Sequence, residues 1–497
     1  MIILKQGWLL ATLSGVLAAL SYPGFELDFL AWFVLVPLFF ALELKKTLRR
    51  FFTSFLGGVA FFGVLLYWIL ALEEWVGMLI VPGYFLLIGY LGLYWGAFGV
   101  LYPFFKGLKA VLLIPTLWVV LEFIRSSGKF GLHWGSIGYS LYEKTFFIQL
   151  ASITGVWGVS FAIVLVNYLL FLFLKKRSFL LGVAAVAVVG LLFGLGNIML
   201  HEAEGEKIKI AIVQPNNPQR LNPDPQYLKQ IQEKYKRMLQ EIEGKVNLDL
   251  VILPESTLPG YVLHQEEFLQ TLKDFVKRNN TYLLFGTGDY RKGKFYNTAV
   301  LLSPKGEIID KYDKVQLVPF GEFIPFKDFW EKIGLAGILE VFPTNLTPGL
   351  EYKPMDFKRE RIGTPICFES AFPSISRKLT QEGASLLITI TNDAWFKRSL
   401  ALPQHFAKGV FRAVENRRFF IQAANTGISG IISPQGEVIT RSGIEEEKIL
   451  YGIVQLKDEM TFYIKYGDWF VYLAIIYLGI YLVVMPLALR NKARGLH

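Results

Sequence analysis

One cysteine, Cys367, occurs in 497 residues, within Gly363-Thr-Pro-Ile-Cys-Phe-Glu-Ser370. With no second thiol it can form no internal disulfide, so any chemistry it performs belongs to the thiolate. A thiol that attacks an acyl group needs a base for its proton and a cation for the developing oxyanion. Two segments could supply them. Glu255 closes Leu253-Pro-Glu-Ser256, and Lys314 opens Lys314-Val-Gln-Leu-Val-Pro-Phe-Gly-Glu322. Each has an ordinary reading as well: a small buried hydrophobe for the cysteine, a turn carboxylate for Glu255, a solvated strand end for Lys314. As a set, at the ends of three apolar runs, they meet the requirements of acyl transfer.

The elements that would position them alternate between strand and helix. Residues 207–213, 249–253, 282–286 and 296–302 read as strands, and 227–242 and 265–278 as helices. A Ser303-Pro-Lys-Gly306 turn leads into a strand at 307–310. Strands at 361–366, 385–391 and 428–433 follow, with a helix at 403–417 and a second turn, Ser433-Pro-Gln-Gly436. Hairpins mixed with β-α units predict an α+β layered sandwich rather than a doubly wound sheet.

The rest of the chain has a different character. Hydrophobic residues make up 53% of the sequence and mean hydropathy is +0.40, and the apolar residues gather in stretches approaching the ~20 residues that span a bilayer. Seven spans are expected before the α+β region, at 7–23, 28–44, 52–72, 76–104, 109–125, 156–174 and 178–199, and an eighth at 466–489. The run from Trp8 to Tyr22 could be a cleaved signal, but further spans follow directly and no small-x-small site closes it. With the N-terminus in the cytoplasm, inner segments carry Lys45, Lys46, Arg49, Arg50, Lys106, Lys109, Lys175, Lys176, Arg177, Arg490, Lys492 and Arg494. Outer segments carry only Arg125, Lys129 and Lys144. This asymmetry places the α+β region outside the cytoplasm. The net charge of +10 is then explained by cations flanking spans, and no basic-aromatic pattern points to nucleic acid. The expected domains are 1–204 (seven helices), 205–460 (α+β) and 461–497 (a last helix and a cytoplasmic tail).

The three segments, read as Leu-Pro-Glu-Ser, Tyr312-Asp-Lys-Val-Gln-Leu-Val-Pro-Phe-Gly-Glu-Phe-Ile-Pro325 and Ile-Cys-Phe-Glu, resemble the nitrilase superfamily. The runs Thr391-Asn-Asp-Ala-Trp-Phe396, Pro403-Gln-His405, Arg412-Ala-Val-Glu415 and Ala424-Asn-Thr-Gly-Ile428 narrow the likeness. With Trp134-Gly-Ser-Ile-Gly-Tyr139 and Gly155-Val-Trp-Gly-Val-Ser-Phe161, nearly the whole chain is similar to the membrane-embedded apolipoprotein N-acyltransferase family. The resemblance implies an eight-helix membrane bundle joined to an αββα sandwich, in the bacterial cytoplasmic (inner) membrane with the catalytic domain on the periplasmic side and both termini cytoplasmic. It also implies a ping-pong reaction. The sn-1 acyl chain of a phospholipid, typically phosphatidylethanolamine, passes to Cys367 as a thioester and then to the α-amino group of an S-diacylglyceryl-cysteine at a lipoprotein N-terminus. Glu255 would be the general base and Lys314 the oxyanion's cation. Glu322 and Glu369 match glutamates that could orient Lys314 or tune the charge, and Asn392, Trp395 and Arg418 align near the site. Trp395 could equally be core packing, and Arg418 a helix C-terminal charge. Phe368 stands where many relatives carry Tyr, and Lys397 where a Gly is frequent.

No metal or cofactor is expected, since a thioester is already activated toward an amine. The five histidines have no ligand spacing, and a lone His405 is more often structural. A membrane-tethered amidase or hydrolase using the same residues, or a non-catalytic lipid-binding scaffold, are the competing readings. The apolar segment 323–342 reads either as packed on the sheet or as a lid reaching the bilayer interface. If it is a lid, replacing Phe329 and Trp330 by Ser should weaken phospholipid turnover and spare small-ester hydrolysis; equal loss of both would favour packing.

Overall fold

The computed structural model describes residues 6–494 apart from 44–45, 106, 129–130, 201–204, 245–246, 327, 329–331 and 333–344; side chains beyond 484 are likewise left aside. Most of the expected lid therefore lies outside the described residues. The chain divides into two compact units, one of residues 1–67, 82–200 and 466–497, the other of 68–81 and 201–465.

In the first unit, four helical stretches among the described residues are long and apolar enough to cross a membrane: Thr47–Leu65, Tyr67–Phe104, Val156–Lys176 and Phe179–Met199. Gly7–Leu20, Asp28–Leu42, Thr145–Thr154 and Trp469–Val484 are apolar but shorter. Where a span over 76–104 was expected, the regular helix begins at Ile80; Gly77, at φ +66, breaks the turns before it. Small residues let these helices approach closely: a Cβ on Gly15 would stand 2.0 Å from the Gly57 carbonyl oxygen. Buried polar groups tie the loops. Asn167 Nδ2 donates to the Ala31 and Ile163 carbonyls while its Oδ1 accepts from Leu35 N. Glu122 Oε1 accepts from Trp118 Nε1 at 2.9 Å and Ile137 N at 2.8 Å, holding the Trp-Gly-Ser-Ile-Gly-Tyr run against the helix Ala110–Ser126.

The second unit holds two six-stranded sheets. The strands are β1 (Lys207–Gln214), β2 (Leu250–Ile252), β3 (Tyr282–Arg291), β4 (Lys294–Leu302), β5 (Ile308–Asp313), β6 (Met355–Phe357), β7 (Glu360–Gly363), β8 (Leu386–Thr391), β9 (Phe420–Ala424), β10 (Gly430–Ile432), β11 (Val438–Arg441) and β12 (Lys448–Gln455). One sheet runs β12-β1-β2-β3-β4-β5 and the other β11-β10-β9-β8-β7-β6. Each has a parallel centre (β1-β2-β3 and β7-β8-β9) with antiparallel flanks. Within the parallel centres β2, β8 and β9 are buried along their whole length, as strands covered on both faces are.

Helices cover the outer faces. Pro225–Ile242 starts at Asp224, whose carboxylate accepts from Tyr227 N at 2.7 Å as an N-cap, with Pro225 at the first turn. Glu266–Asn279 carries Glu266 and Glu267 in its first turn and Lys277 and Arg278 in its last, and it stops at Asn280 in the left-handed region. Tyr235, Met238, Phe268, Leu272 and Phe275 pack from these helices on Val251, Phe285 and Val300. Between the sheets, close approach needs glycine. A Cβ on Gly452 of β12 would lie 2.2 Å from Ile431 Cδ1 of β10, and one on Gly286 of β3 would lie 2.6 Å from Glu255 Cα and 2.9 Å from Ile390 Cδ1 of β8.

Four strands were not anticipated: β6, β9, β11 and β12. The strand expected at 361–366 ends at Gly363, and beyond it only Ile366 bridges to Ile390. Gly286→Ala should strain the segment that carries Glu255, by ~1–3 kcal/mol of overpacking. The expected result is a thermal midpoint lowered by several degrees and slower acyl transfer; an unchanged midpoint would show that the inter-sheet gap can widen.

Candidate active site

Glu255 follows β2 by three residues and is turned into the space between the sheets by a tight bend in which Ser256 has φ +51. Its Oε1 accepts from Asn297 Nδ2 at 2.7 Å and lies 3.5 Å from Lys314 Nζ; its Oε2 accepts from the Asn392 backbone N at 2.8 Å. Lys314 is the first residue after β5, fixed by its own N–H on the Asn297 carbonyl and by Gly349 N on its carbonyl, both at 2.8 Å. Lys314 Nζ donates to Glu322 Oε1 at 2.8 Å. Glu322 Oε1 also accepts from Asn297 Nδ2 at 3.1 Å, and Oε2 from Val318 N at 2.8 Å. One ammonium and one amide thus hold two carboxylates apart. Burial works against the charge on Lys314, but Glu322 and Glu255 outweigh it, and its pKa stands above the ordinary lysine value.

Cys367 opens the short 3-10 turn Cys367–Ala371 after the single bridge at Ile366. Its backbone is left-handed, φ +51, a conformation that surrounding structure must impose on a side chain with a Cβ. The residue is only partly exposed. Burial pushes the thiol well above its usual pKa, the Glu255 charge pushes the same way, and Lys314 and the Thr391 hydroxyl oppose them. The thiol thus lies in the opposed fields of a carboxylate and an ammonium.

Glu369 is fully buried and joins the two halves. It accepts from Val315 N at 2.7 Å and Gln316 N at 2.9 Å, from the Tyr312 hydroxyl at 3.1 Å, and from Ile366 N at 2.7 Å. Three of these donors flank Lys314, and the fourth precedes Cys367. Burial pushes its pKa up to about 7, against the pull of those backbone N–H groups and of Lys314.

The other expected residues are placed as follows. The Asn392 side chain is held by Gln219 (2.8 Å) and Asn425 (3.0 Å), so its backbone N–H points at Glu255. Phe368 packs edge-on against Phe372 at 5.0 Å. Trp395 stacks edge-on with Trp75 at 5.2 Å, and its carbonyl accepts from Trp75 Nε1 at 3.0 Å. Trp68 does the same for Phe396 at 5.0 Å and for Gln404 at 3.2 Å. Lys397 has φ +49, where a glycine would be unstrained, and its ammonium pairs with Glu74. Arg418 follows the helix Ala401–Asn416 and is buried. Its guanidinium donates to the carbonyls of Ala384, Asn416, Arg417 and Glu459, which makes it a clasp at the end of the helix Ala401–Asn416. Asn297 is a site residue that the sequence reading missed, whereas Asn425 and Thr391 stood in the quoted runs without a role of their own. Asn297 sat inside an expected strand, and its only signal is an amide in an otherwise apolar run.

A nucleophile, a carboxylate and an ammonium so arranged can form and break an acyl-thioester. The Carbon-nitrogen hydrolase family model matches residues 209–461, and the model of the apolipoprotein N-acyltransferase N-terminal domain matches residues 14–169. The chain is 34% identical to an apolipoprotein N-acyltransferase of Geobacter metallireducens over 98% of this chain and 96% of that one. It is 31% identical to an apolipoprotein N-acyltransferase of Thermotoga maritima over 94% and 91%. Among solved structures, Saccharomyces cerevisiae Nit3, a member of branch 10 of the nitrilase superfamily, aligns at TM-score 0.39 and 22% identity over 50% of this chain and 90% of that one.

Glu369→Gln should turn one acceptor into a donor facing N–H groups, with a loss of about 3 kcal/mol or more and much slower acyl transfer. The wild-type carboxyl binds its proton more tightly folded than unfolded. Its contribution to stability is thus complete below about 4.5 and is lost as pH rises through about 7. Thermal midpoints at pH 5 and pH 8 should show that dependence in wild type and lack it in the variant; equal slopes would refute the assignment.

Proposed function

The chain belongs to the apolipoprotein N-acyltransferase family, and from that premise we propose that it transfers an acyl chain from phospholipid to lipoprotein amino termini through a thioester on Cys367. The observation that carries this reading is Lys314 Nζ, 2.8 Å from Glu322 and 3.5 Å from Glu255, with the charges of Glu255 and Lys314 both acting on the thiol.

In the first half-reaction Glu255 takes the thiol proton, and the thiolate attacks the ester carbonyl at the sn-1 position, probed first with phosphatidylethanolamine. The oxyanion forms against Lys314. Because that ammonium is already fixed by Glu322 and by its own backbone, little reorganisation is needed as charge develops. The intermediate collapses by breaking the carbon–oxygen bond to glycerol; the departing alkoxide takes the proton from Glu255, and lysophospholipid leaves. In the second half the α-amino group of an S-diacylglyceryl-cysteine attacks the thioester, Glu255 receives a proton from that nitrogen, and the thiolate departs and is reprotonated. Asn297 keeps Glu255 and Glu322 from sharing one proton by donating to both. Asn392 holds the second oxygen of Glu255. Phe368 offers a ring and no hydroxyl.

The membrane setting fits both lipid substrates. In this reading eight spans form domains 1–204 and 461–497, and the catalytic domain, 205–460, stands on the periplasmic side of the bacterial inner membrane with both termini cytoplasmic. The charge asymmetry of the connecting segments supports it.

Intact mass after mixing the protein with phospholipid and no acceptor should show a gain of one acyl chain, labile to hydroxylamine and discharged by a diacylated lipopeptide. Cys367→Ala should show none. Lys314→Met should load ~100-fold slower or worse, and Glu255→Gln should be slowed comparably. Release of free fatty acid by an unloaded enzyme would favour the hydrolase instead.

A further inference from the structure

His405 lies on the helix Ala401–Asn416 and is 5% exposed. Its Nδ1 is 3.0 Å from Asp393 Oδ1. Its Nε2 is 2.8 Å from Ser370 Oγ and 3.2 Å from the carbonyl oxygen of Cys367. The chemistry above uses none of these contacts. We infer that His405 is a positioning residue for the nucleophile, an imidazolium seated on Asp393 whose Nε2–H holds the Cys367 carbonyl and with it the left-handed turn that aims the thiol; this rests on the acyltransferase reading for its consequence in turnover.

The donor inventory carries the inference. A carboxylate facing Nδ1 only accepts, so Nδ1 bears a proton. The Cys367 carbonyl facing Nε2 only accepts, so Nε2 bears one too. Ser370 Oγ lies between them and spends its own proton on the same carbonyl, at 2.9 Å, leaving its lone pairs for Nε2–H. A neutral imidazole protonated at Nδ1 would accept the Ser370 hydroxyl at 2.8 Å only by drawing that proton off the Cys367 carbonyl, leaving its own lone pair facing the carbonyl at 3.2 Å; the imidazolium satisfies all of these contacts at once. Asp393 Oδ1 also receives the Thr391 hydroxyl at 3.0 Å, and Asp393 Oδ2 is buried with no hydrogen-bond partner, pressed on Gly427. A cation beside Asp393 balances that otherwise poorly solvated charge.

The surroundings agree. Burial disfavours the imidazolium, but Asp393, the Cys367 carbonyl and the more distant Glu255 outweigh it and raise its pKa. On the turn that holds Cys367, Glu369 is directed to Tyr312, Val315, Gln316 and Ile366 instead. Further along the His405 helix, Arg412 is paired with Glu415 at 2.8 Å, and Lys408 is buried. On the far side of Asp393, Lys397 is paired with Glu74. The positive φ at Cys367 persists only while its carbonyl is anchored. Releasing that anchor should slow the formation of the thioester without changing phospholipid affinity.

Three variants and one measurement on the unsubstituted protein test this. His405→Leu, without the donor, should load from phospholipid at least about tenfold slower at unchanged KM. His405→Gln keeps one N–H donor with nothing to titrate, so it should load within about threefold of wild type at pH 7. Wild type should lose loading rate as pH rises past the raised imidazole pKa, more steeply than the Gln variant; Glu369, at about 7, acts equally on both proteins, and the Lys314 proton is held too tightly to supply the difference. Asp393→Asn should move the limb to lower pH. Nitrogen-15 spectra of the imidazoles in unsubstituted protein should show both nitrogens of His405 protonated at pH 7. A neutral His405, a Leu variant as fast as wild type, or a Gln variant whose pH profile superimposes on that of wild type would each overturn the inference. If the Leu variant does not fold, the Gln profile and the imidazole spectrum decide. If wild type itself takes no acyl chain, the acyltransferase reading fails, while the imidazole spectrum, which needs no lipid, still decides this one.

Discussion

The site depends on one buried carboxylate that no reacting atom needs to touch. Glu369 gathers donors from two sheets: Tyr312, Val315 and Gln316 on one side, and Ile366 on the other. Lys314 extends the edge strand of the first sheet, while Cys367 follows a strand of the second. Nothing in either sheet's ladder fixes the distance between a lysine at one edge and a cysteine in the other layer. Four hydrogen bonds to two oxygens do. The same device recurs at Glu255, which leaves the first sheet and is received by the backbone of Asn392, just past β8 of the second.

Charge is managed by the same economy of contacts. Two carboxylates and an ammonium in a dry space would settle into a shared proton or a collapsed ion pair if left alone. Asn297 sets a donor that cannot itself ionise against both Oε1 atoms. Lys314 is then paired closely with Glu322 at 2.8 Å and lies farther from Glu255, at 3.5 Å.

How much of this was legible in the sequence follows from how local each feature is. Glu255 and Cys367 end apolar runs and Lys314 precedes one, and a reader can find run ends. The two helices on the first sheet announce themselves by caps, charges and spacing. By contrast β12 is a strand because it pairs with β1, nearly the whole domain away, and β9 follows Arg417 and Arg418, whose charges suggest a surface until their guanidinium groups are seen clasping carbonyls. By sequence Trp68 is counted into the span at 52–72 and Trp75 into the short loop after it, yet residues 68–81 group with the α+β unit, the two indoles packed on Phe396, Gln404 and Trp395. Hydropathy measures avoidance of water and cannot tell lipid from a protein partner. Arg418 is the complementary case: the sequence leaves it between a place near the site and a charge at a helix end, and its hydrogen bonds to four carbonyls show what its donors are spent on.

The single cysteine has a further bearing on how the chain matures. In an oxidising compartment a protein with several thiols must sort correct from incorrect pairings, and a nucleophile poised for attack is the thiol most exposed to mispairing. Here no such sorting exists within one molecule. The fold is held by packing, hydrogen bonds and ion pairs, with its one thiol outside any internal crosslink.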